Sequence, residues 1–245
     1  MKKILVGCNV LTSIDSIAYP SHCQNWFNWG RYLRDYDFFF NAPRRTSIDN
    51  MRNMSAKIAM EQECEYLFFY DDDCFFPTDT LQRLIAHNKE IVAGLTFIRA
   101  YPFEPMVFSY LGEKNNGNAI LDYDTKVIGK TDLYPCNAVG FSCVLIKTSI
   151  LLKMKPPFFV TGAGTTEDVY FCIRAQKELG ISIYCDPTVE VTHIVDRYAV
   201  KTTNRDRILK FEKDVHFKGK EIDLSARGKE YIEYCQDRLT AKVEG

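Results

Sequence analysis

The segment Tyr66–Tyr70, YLFFY, runs without a polar break into Asp71, Asp72 and Asp73. An apolar run with no alternation suits a strand covered on both faces, as in parallel sheets with crossover helices. Three adjacent carboxylates cannot share that burial, so they mark the strand's carboxyl end, where α/β sheets collect their ligands. Like charges this close repel one another. Water can keep them ionised, but a divalent cation does so most strongly, and carboxylate oxygens suit magnesium or manganese. The blander reading is a solvated strand end or a cap on the next helix.

Other short apolar runs fall into the same rhythm. Residues 3–8 (KILVGC), 37–40 (DFFF) and 90–97 (EIVAGLTF) read as further strands. Between them, residues 47–63 carry Ile48, Met51, Met54 and Ile58 at helical spacing, and Pro77, Thr78 and Asp79 open a second helix at TLQRLIAHN. This βα alternation predicts a doubly wound α/β unit. Further on, GEKNNGNAILDYDTKVIGK, with its Asn-Gly, predicts a hairpin excursion. FSCVLIK (141–147) reads as a strand, ISIYCDP and TVEVTHI as a return to the sheet, and TEDVYFCIRAQKELG as a helix entered through the loop VTGAGTT. Residues 201–245 are charged and helical in pattern. The expected organisation is a domain over 1–200 with a C-terminal helical extension, 201–245, packed on it.

Composition excludes some classes. With 31 Lys and Arg against 32 Asp and Glu, the net charge of -1 offers no global basic field for nucleic acid or an anionic membrane. No stretch is long enough to span a bilayer and no secretory signal core is present, which predicts a cytoplasmic protein. Nine cysteines, an odd number without a C-x-x-C pair, argue against a disulfide framework or zinc site. Cys8, Cys143, Cys172 and Cys185 lie in apolar segments and are expected in the core.

Further candidates follow from position. Glu167 and Asp168 lie in the first turn of the late helix, with Thr165 or Thr166 placed to cap it. The helix dipole and free N–H groups keep such carboxylates ionised, as a general base requires. Arg52 and Asn53 sit on the helix over residues 47–63; arginine can clamp phosphate or stack on a base. Gly140 precedes an apolar strand, and His193 follows one. Each also has an ordinary reading, as a helix-end acid, a solvated helix face, a turn glycine or a satisfied core histidine.

Together these residues resemble a family. EYLFFYDDDCFFPTDTLQRL is similar to the Asp-x-Asp region of GT-A glycosyltransferases, in particular the large inverting family 2, with its bacterial and phage-encoded members. The likeness runs over about residues 3–195, through an opening strand, a helix with Arg-Asn, the acidic triplet, Ala-Val-Gly-Phe (138–141), Glu-Asp and a late His. It implies a GT-A, Rossmann-like, mixed but mainly parallel sheet flanked by helices. It also implies Mn2+ or Mg2+ held by Asp71, Asp73 and His193, with Asp71 nearer the ribose or the metal and Asp72 able to exchange roles with either. Asn9, Arg52, Asp71, Asp72 and Gly140 would border a nucleotide-sugar donor, commonly a UDP-sugar. The base would be Asp168, with Glu167 second. Haloacid-dehalogenase phosphatases and sugar nucleotidyltransferases fit less well: the former place their acids after the first strand, and the latter need an amino-terminal Gly-rich signature absent from KILVGCNVLTSIDS.

The resemblance implies sugar transfer to a hydroxyl with inversion. Arg197, Lys201, Arg205, Arg207 and Lys210 form a basic run that would suit a phosphate backbone. Similarity to phage-encoded members favours hydroxymethylated pyrimidine in DNA as the acceptor, ahead of a polysaccharide, lipid-linked glycan or protein. A non-catalytic module binding metal or nucleotide-sugar is the alternative outside enzymes.

Overall fold

The computed structural model describes residues 1–10, 13–99, 102–113, 119–162 and 165–194, and the backbone of 195 and 198–200. Residues 201–245, and with them the expected helical extension, lie outside the described residues, as does the basic run from Arg197 to Lys210.

The chain begins as βαβαβ: β1 (Lys2–Asn9), α1 (Tyr19–Tyr32), β2 (Tyr36–Asn41), α2 (Ile48–Glu61) and β3 (Tyr66–Asp71). The two-residue β4 (Cys74–Phe75), α3 (Thr80–Ala86) and β5 (Ile91–Leu95) follow. β6 (Val107–Glu113), β7 (Ala119–Tyr123) and β9 (Ala138–Val139) form a separate three-stranded sheet, and between β7 and β9 the chain makes β8 (Tyr134–Cys136), an edge strand of the main sheet. The chain re-enters the main sheet with β10 (Cys143–Lys147), then forms α4 (Thr148–Leu151), α5 (Glu167–Leu179), β11 (Ile183–Glu190), β12 (Thr192–Val195) and β13 (Tyr198–Val200).

The main sheet has seven strands in the order β2-β1-β3-β10-β5-β11-β8. β1 pairs in parallel with β2 and β3, and β11 in parallel with β5, but β10 lies antiparallel between β3 and β5. The sheet is therefore mixed and mainly parallel, as expected. β6 and β7 pair antiparallel, as the hairpin reading requires, while the Asn-Gly turn itself lies outside the described residues. ISIYCDP and TVEVTHI bracket a return to the sheet, as expected. Residues 183–190 form one strand whose register shifts between Asp186 and Glu190, and β12 leaves for a small sheet with β4 and β13.

Alternate residues of β3 feed two aromatic layers. Phe68 and Tyr70 meet α1 and the β4 segment: the Trp29 ring lies 5.6 Å from Phe68 and 6.4 Å from Phe76. Phe69 faces the other way, towards Phe159, which stacks on Phe171 of α5 at 4.7 Å. All of these rings are buried, each worth about 1.5–3 kcal/mol relative to exposure. Cys8, Cys143, Cys172 and Cys185 are buried here as free thiols.

The α2 face differs from its apolar spacing. Met51 is buried, but Met54 is half exposed, and the inward side is completed by Arg52, Ser55, Ala56 and Ala59. Small residues are needed because α2 crosses β1 at Gly7, where a Cβ would stand 2.8 Å from the Phe69 ring and 3.2 Å from Ser55 Oγ. Close packing therefore overrides the hydrophobic stripe.

Across the sheet, α3 is tied to β11 by charge. Asp186, 4% exposed, accepts from His87 Nε2 at 2.8 Å and from the Thr188 hydroxyl at 2.6 Å, with Arg83 at 3.6 Å. Burial pushes its carboxyl up, but His87, Thr188 and Arg83 together hold it below the ordinary value. A depressed folded-state pKa contributes stability at neutral pH that is lost as pH falls through it. The melting temperature is thus expected to drop from about pH 5 towards pH 3, and less steeply in Asp186→Asn. Identical acid limbs in the two proteins would remove this role.

Candidate active site

β1 and β3 run in parallel with Asn9 opposite Asp71, so both strands deliver their last side chains to one edge of the sheet. Beyond Asp71 the chain turns at Asp72 and Asp73 into β4. That turn is held from outside along its length. The carbonyls of Asp72, Asp73, Cys74 and Phe76 accept, in order, from Asp15 N (3.1 Å), Ile194 N (3.0 Å), His22 Nε2 (2.6 Å) and Asn25 Nδ2 (3.3 Å). The acids sit on a turn hydrogen-bonded at four carbonyls.

Pairing of β12 with β4 sets His193 opposite Cys74 and beside Asp73. His193 Nδ1 lies 2.9 Å from the Phe97 carbonyl and must carry a proton to make that bond. In the neutral ring, Nε2 then turns a lone pair towards Asp73 Oδ1, 3.3 Å away. Two acceptors facing at that distance need a proton or a cation between them. A carbonyl-oriented imidazole beside a carboxylate is also how metal-ligating histidines are held. Burial pushes the Asp73 carboxyl up, but His193 and Arg99 outweigh it and leave it below the ordinary value. Arg99 Nη1 reaches the second oxygen, Oδ2, at 2.5 Å.

Asp73, Cys74 and His193 bring potential ligand atoms within 4.8 Å of one another. Burial drives the Cys74 thiol well above its usual range, so it stays protonated and is a poor ligand for a hard cation. Asp71 is not in that cluster: its Oδ1 is buried without a hydrogen bond and lies 3.5 Å from Arg52 Nη2. The carboxylate and imidazole of the cluster are donors that suit Mn2+ or Mg2+.

Arg52 enters from α2, 3% exposed, its guanidinium over the Phe141 and Phe69 rings at 5.2 and 5.7 Å. Its Nη1 lies 2.8 Å from Glu167 Oε1, and its Nη2 lies 3.5 Å from Asp71 Oδ1. Burial raises the Glu167 carboxyl, Arg52 opposes the rise, and Asp168 adds to it. Asp168 stands apart from this pair. The Thr166 hydroxyl and Val169 N, the latter at 2.8 Å, both donate to its Oδ1. Thr166 is the N-cap residue of α5, but its hydroxyl serves Asp168 rather than the helix N–H groups.

These parts line one cleft of about 760 Å³, which includes Asn9, Arg52, Asp71, Asp72, Asp73, Glu167, Asp168 and His193. Both amide atoms of Asn9 are buried without a hydrogen-bond partner. Gly140 is not part of the lining. A Cβ there would stand 2.4 Å from Met106 Cε, and Met106, Phe141 and Ser142 face the cleft instead. Asn53 holds the chain elsewhere: its Oδ1 accepts from Phe158 N and Phe159 N, and its Nδ2 donates to the Phe159 carbonyl. Arg99 and Asp15 also line the cleft and were not legible as site residues. Arg99 stands four residues past the end of β5, where sheets of this class place their ligand loops, and that position was the available signal.

No protein-family model and no curated protein matches the chain. Among solved structures, A197 from STIV superposes with a TM-score of 0.54 and 16% identity, covering 83% of this chain and 91% of that one. The chain has a GT-A-like fold. S. aureus TarS 1-349 is a more distant neighbour, at TM-score 0.42 and 15% identity over 77% of this chain and 61% of its own. The same protein in complex with UDP-GlcNAc gives 0.41 and 15%, over 89% and 73%. In this GT-A-like sheet the acidic turn lies at the carboxyl end of β3, and no helix among the described residues is long and apolar enough to cross a membrane.

Proposed function

We propose that the chain is a glycosyltransferase that moves a sugar from a nucleotide-sugar, a UDP-sugar first among candidates, to an acceptor hydroxyl with inversion, using Mn2+ or Mg2+. The observation that carries this reading is the approach of the buried His193 Nε2 to Asp73 Oδ1, 3.3 Å, on the hydrogen-bonded acidic turn at the end of β3. Charge supports it. The cleft is lined by six carboxylates and two guanidiniums, a formal excess of four negative charges, which would repel a nucleoside diphosphate entering alone.

Asp71, Asp73 and His193 would hold the ion. When bound, it supplies positive charge for the departing diphosphate. Asn9, which lines the cleft with both amide atoms unpaired, would bond the nucleoside. Asp168 takes the acceptor proton: Thr166 and Val169 orient it through Oδ1, and Oδ2 has no hydrogen bond among the described residues. Glu167 is bound to Arg52 and less suited to that role. For the acceptor, we keep hydroxymethylated pyrimidine in DNA as the first proposal, resting on the sequence run Arg197–Lys210. Salt-sensitive DNA binding weakened by Arg205→Ala and Arg207→Ala would support it, and indifference to polynucleotide would count against it.

The test is Mn2+ titration followed by electron paramagnetic resonance, together with nucleoside diphosphate release from a panel of nucleotide-sugars offered hydroxymethylated DNA and saccharide acceptors. Manganese-dependent release is expected, with Asp73→Ala losing both ion binding and about 100-fold or more of turnover. A wild-type protein that binds Mn2+ no better than Asp73→Ala would overturn the reading.

A further inference from the structure

Arg99 is the charged member of the cleft whose position is hardest to reconcile with a bound ion. Its Nη1 lies 2.5 Å from Asp73 Oδ2, while the side chain is 61% exposed. The segment that carries it is anchored: Ile98 N donates to the Glu104 carbonyl at 2.9 Å, Phe97 bridges Pro105, and the Phe97 carbonyl holds His193 Nδ1. One short stretch after β5 thus orients the imidazole and places a monovalent cation on the same carboxylate. That carboxylate has no third oxygen to offer.

A divalent ion taken up by Asp73 would stand beside the guanidinium, and like charges at such a separation are unfavourable even at the dielectric of a protein surface. The backbone of the segment is fixed, but the exposed arginine stem turns at little cost. An anion that arrives with the ion offers it a replacement partner within the same cleft. Guanidinium forks match phosphate oxygens in a bidentate manner.

Building on the transferase reading, we propose that Arg99 exchanges partners. It neutralises Asp73 while the cleft is empty, gives up the carboxylate to the divalent ion, and then binds the diphosphate of the donor. Metal and Arg99 therefore compete for Asp73, whereas diphosphate and Arg99 cooperate. No bond is made or broken in the exchange. Arg99 becomes a ligand-binding residue for the leaving group that also sets how weakly the ion binds by itself.

The experiment measures two affinities in wild type, Arg99→Ala and Asp73→Ala: Mn2+ alone by electron paramagnetic resonance, and UDP at saturating Mn2+ by calorimetry. Inorganic pyrophosphate serves as a base-independent second probe. Arg99→Ala is expected to bind Mn2+ alone about two- to fivefold more tightly, because an exposed ion pair no longer competes. It is expected to bind UDP and pyrophosphate about tenfold more weakly, through loss of a charge-assisted contact. Effects of opposite sign are required of the exchange, and any other combination overturns it. Because the side chain is exposed, a melting temperature unchanged from wild type separates these effects from misfolding. If wild type and Asp73→Ala bind Mn2+ alike, the metal reading itself fails; if only Asp73→Ala loses the ion and Arg99→Ala matches wild type, the exchange alone is wrong.

Discussion

Asp168→Asn is expected to lower kcat by about 10²–10⁴-fold while leaving Mn2+ and UDP affinities within about twofold of wild type. The carboxamide oxygen can still accept from the Thr166 hydroxyl and from Val169 N, so the first turn of α5 keeps its shape. What is lost is the capacity to take a proton. Glu167→Gln provides the control, since Glu167 lies 2.8 Å from Arg52 and its carboxyl is raised by burial. Its loss is expected to act through the position of Arg52 and to cost less in kcat. Steady-state kinetics against donor and acceptor would decide. Near-wild-type turnover in Asp168→Asn beside a collapse in Glu167→Gln would exchange the two assignments.

The second large effect concerns folding. Arg52→Met is expected to destabilise the protein by about 3–5 kcal/mol, the usual cost of removing one partner from a buried ion pair. The methionine would fill the space between Phe69 and Phe141, but Glu167 and Asp71 would be left facing each other without a cation. Urea unfolding should show a lower midpoint with an unchanged slope. Adding Glu167→Gln to Arg52→Met should recover part of the loss, because one of the stranded charges is then gone. A loss under about 1 kcal/mol would mean that water already shields these groups and the pair is not structural.

That Arg52 joins the acid at the strand end to the acid at the helix start also bears on how much was readable beforehand. The arginine was visible as a candidate for phosphate or base, and its place on a helix was legible from spacing. Its inward turn was not, because the apolar spacing grouped Met54 with Ile48, Met51 and Ile58 on one face. The helix rotated instead to bring Ser55, Ala56 and Ala59 against β1 at Gly7. Likewise, the apolar run at 141–147 was a recognisable strand, but nothing local in it required antiparallel insertion between β3 and β5.

Sequence alone placed β1, β2, β3, β5 and β10 and the helices α2, α3 and α5, with three aspartates where β3 ends and Glu167 and Asp168 opening α5, since these follow from short-range periodicity and from the reluctance of charge to enter an apolar strand. Tertiary structure alone decided that His193 meets Asp73, that Arg99 covers the second oxygen of the same carboxylate, and that Arg52 is buried between two acids. The physical reason is separation along the chain. Each of these contacts joins residues 19 to 120 positions apart, and depends on how strands pair and how closely helices approach the sheet.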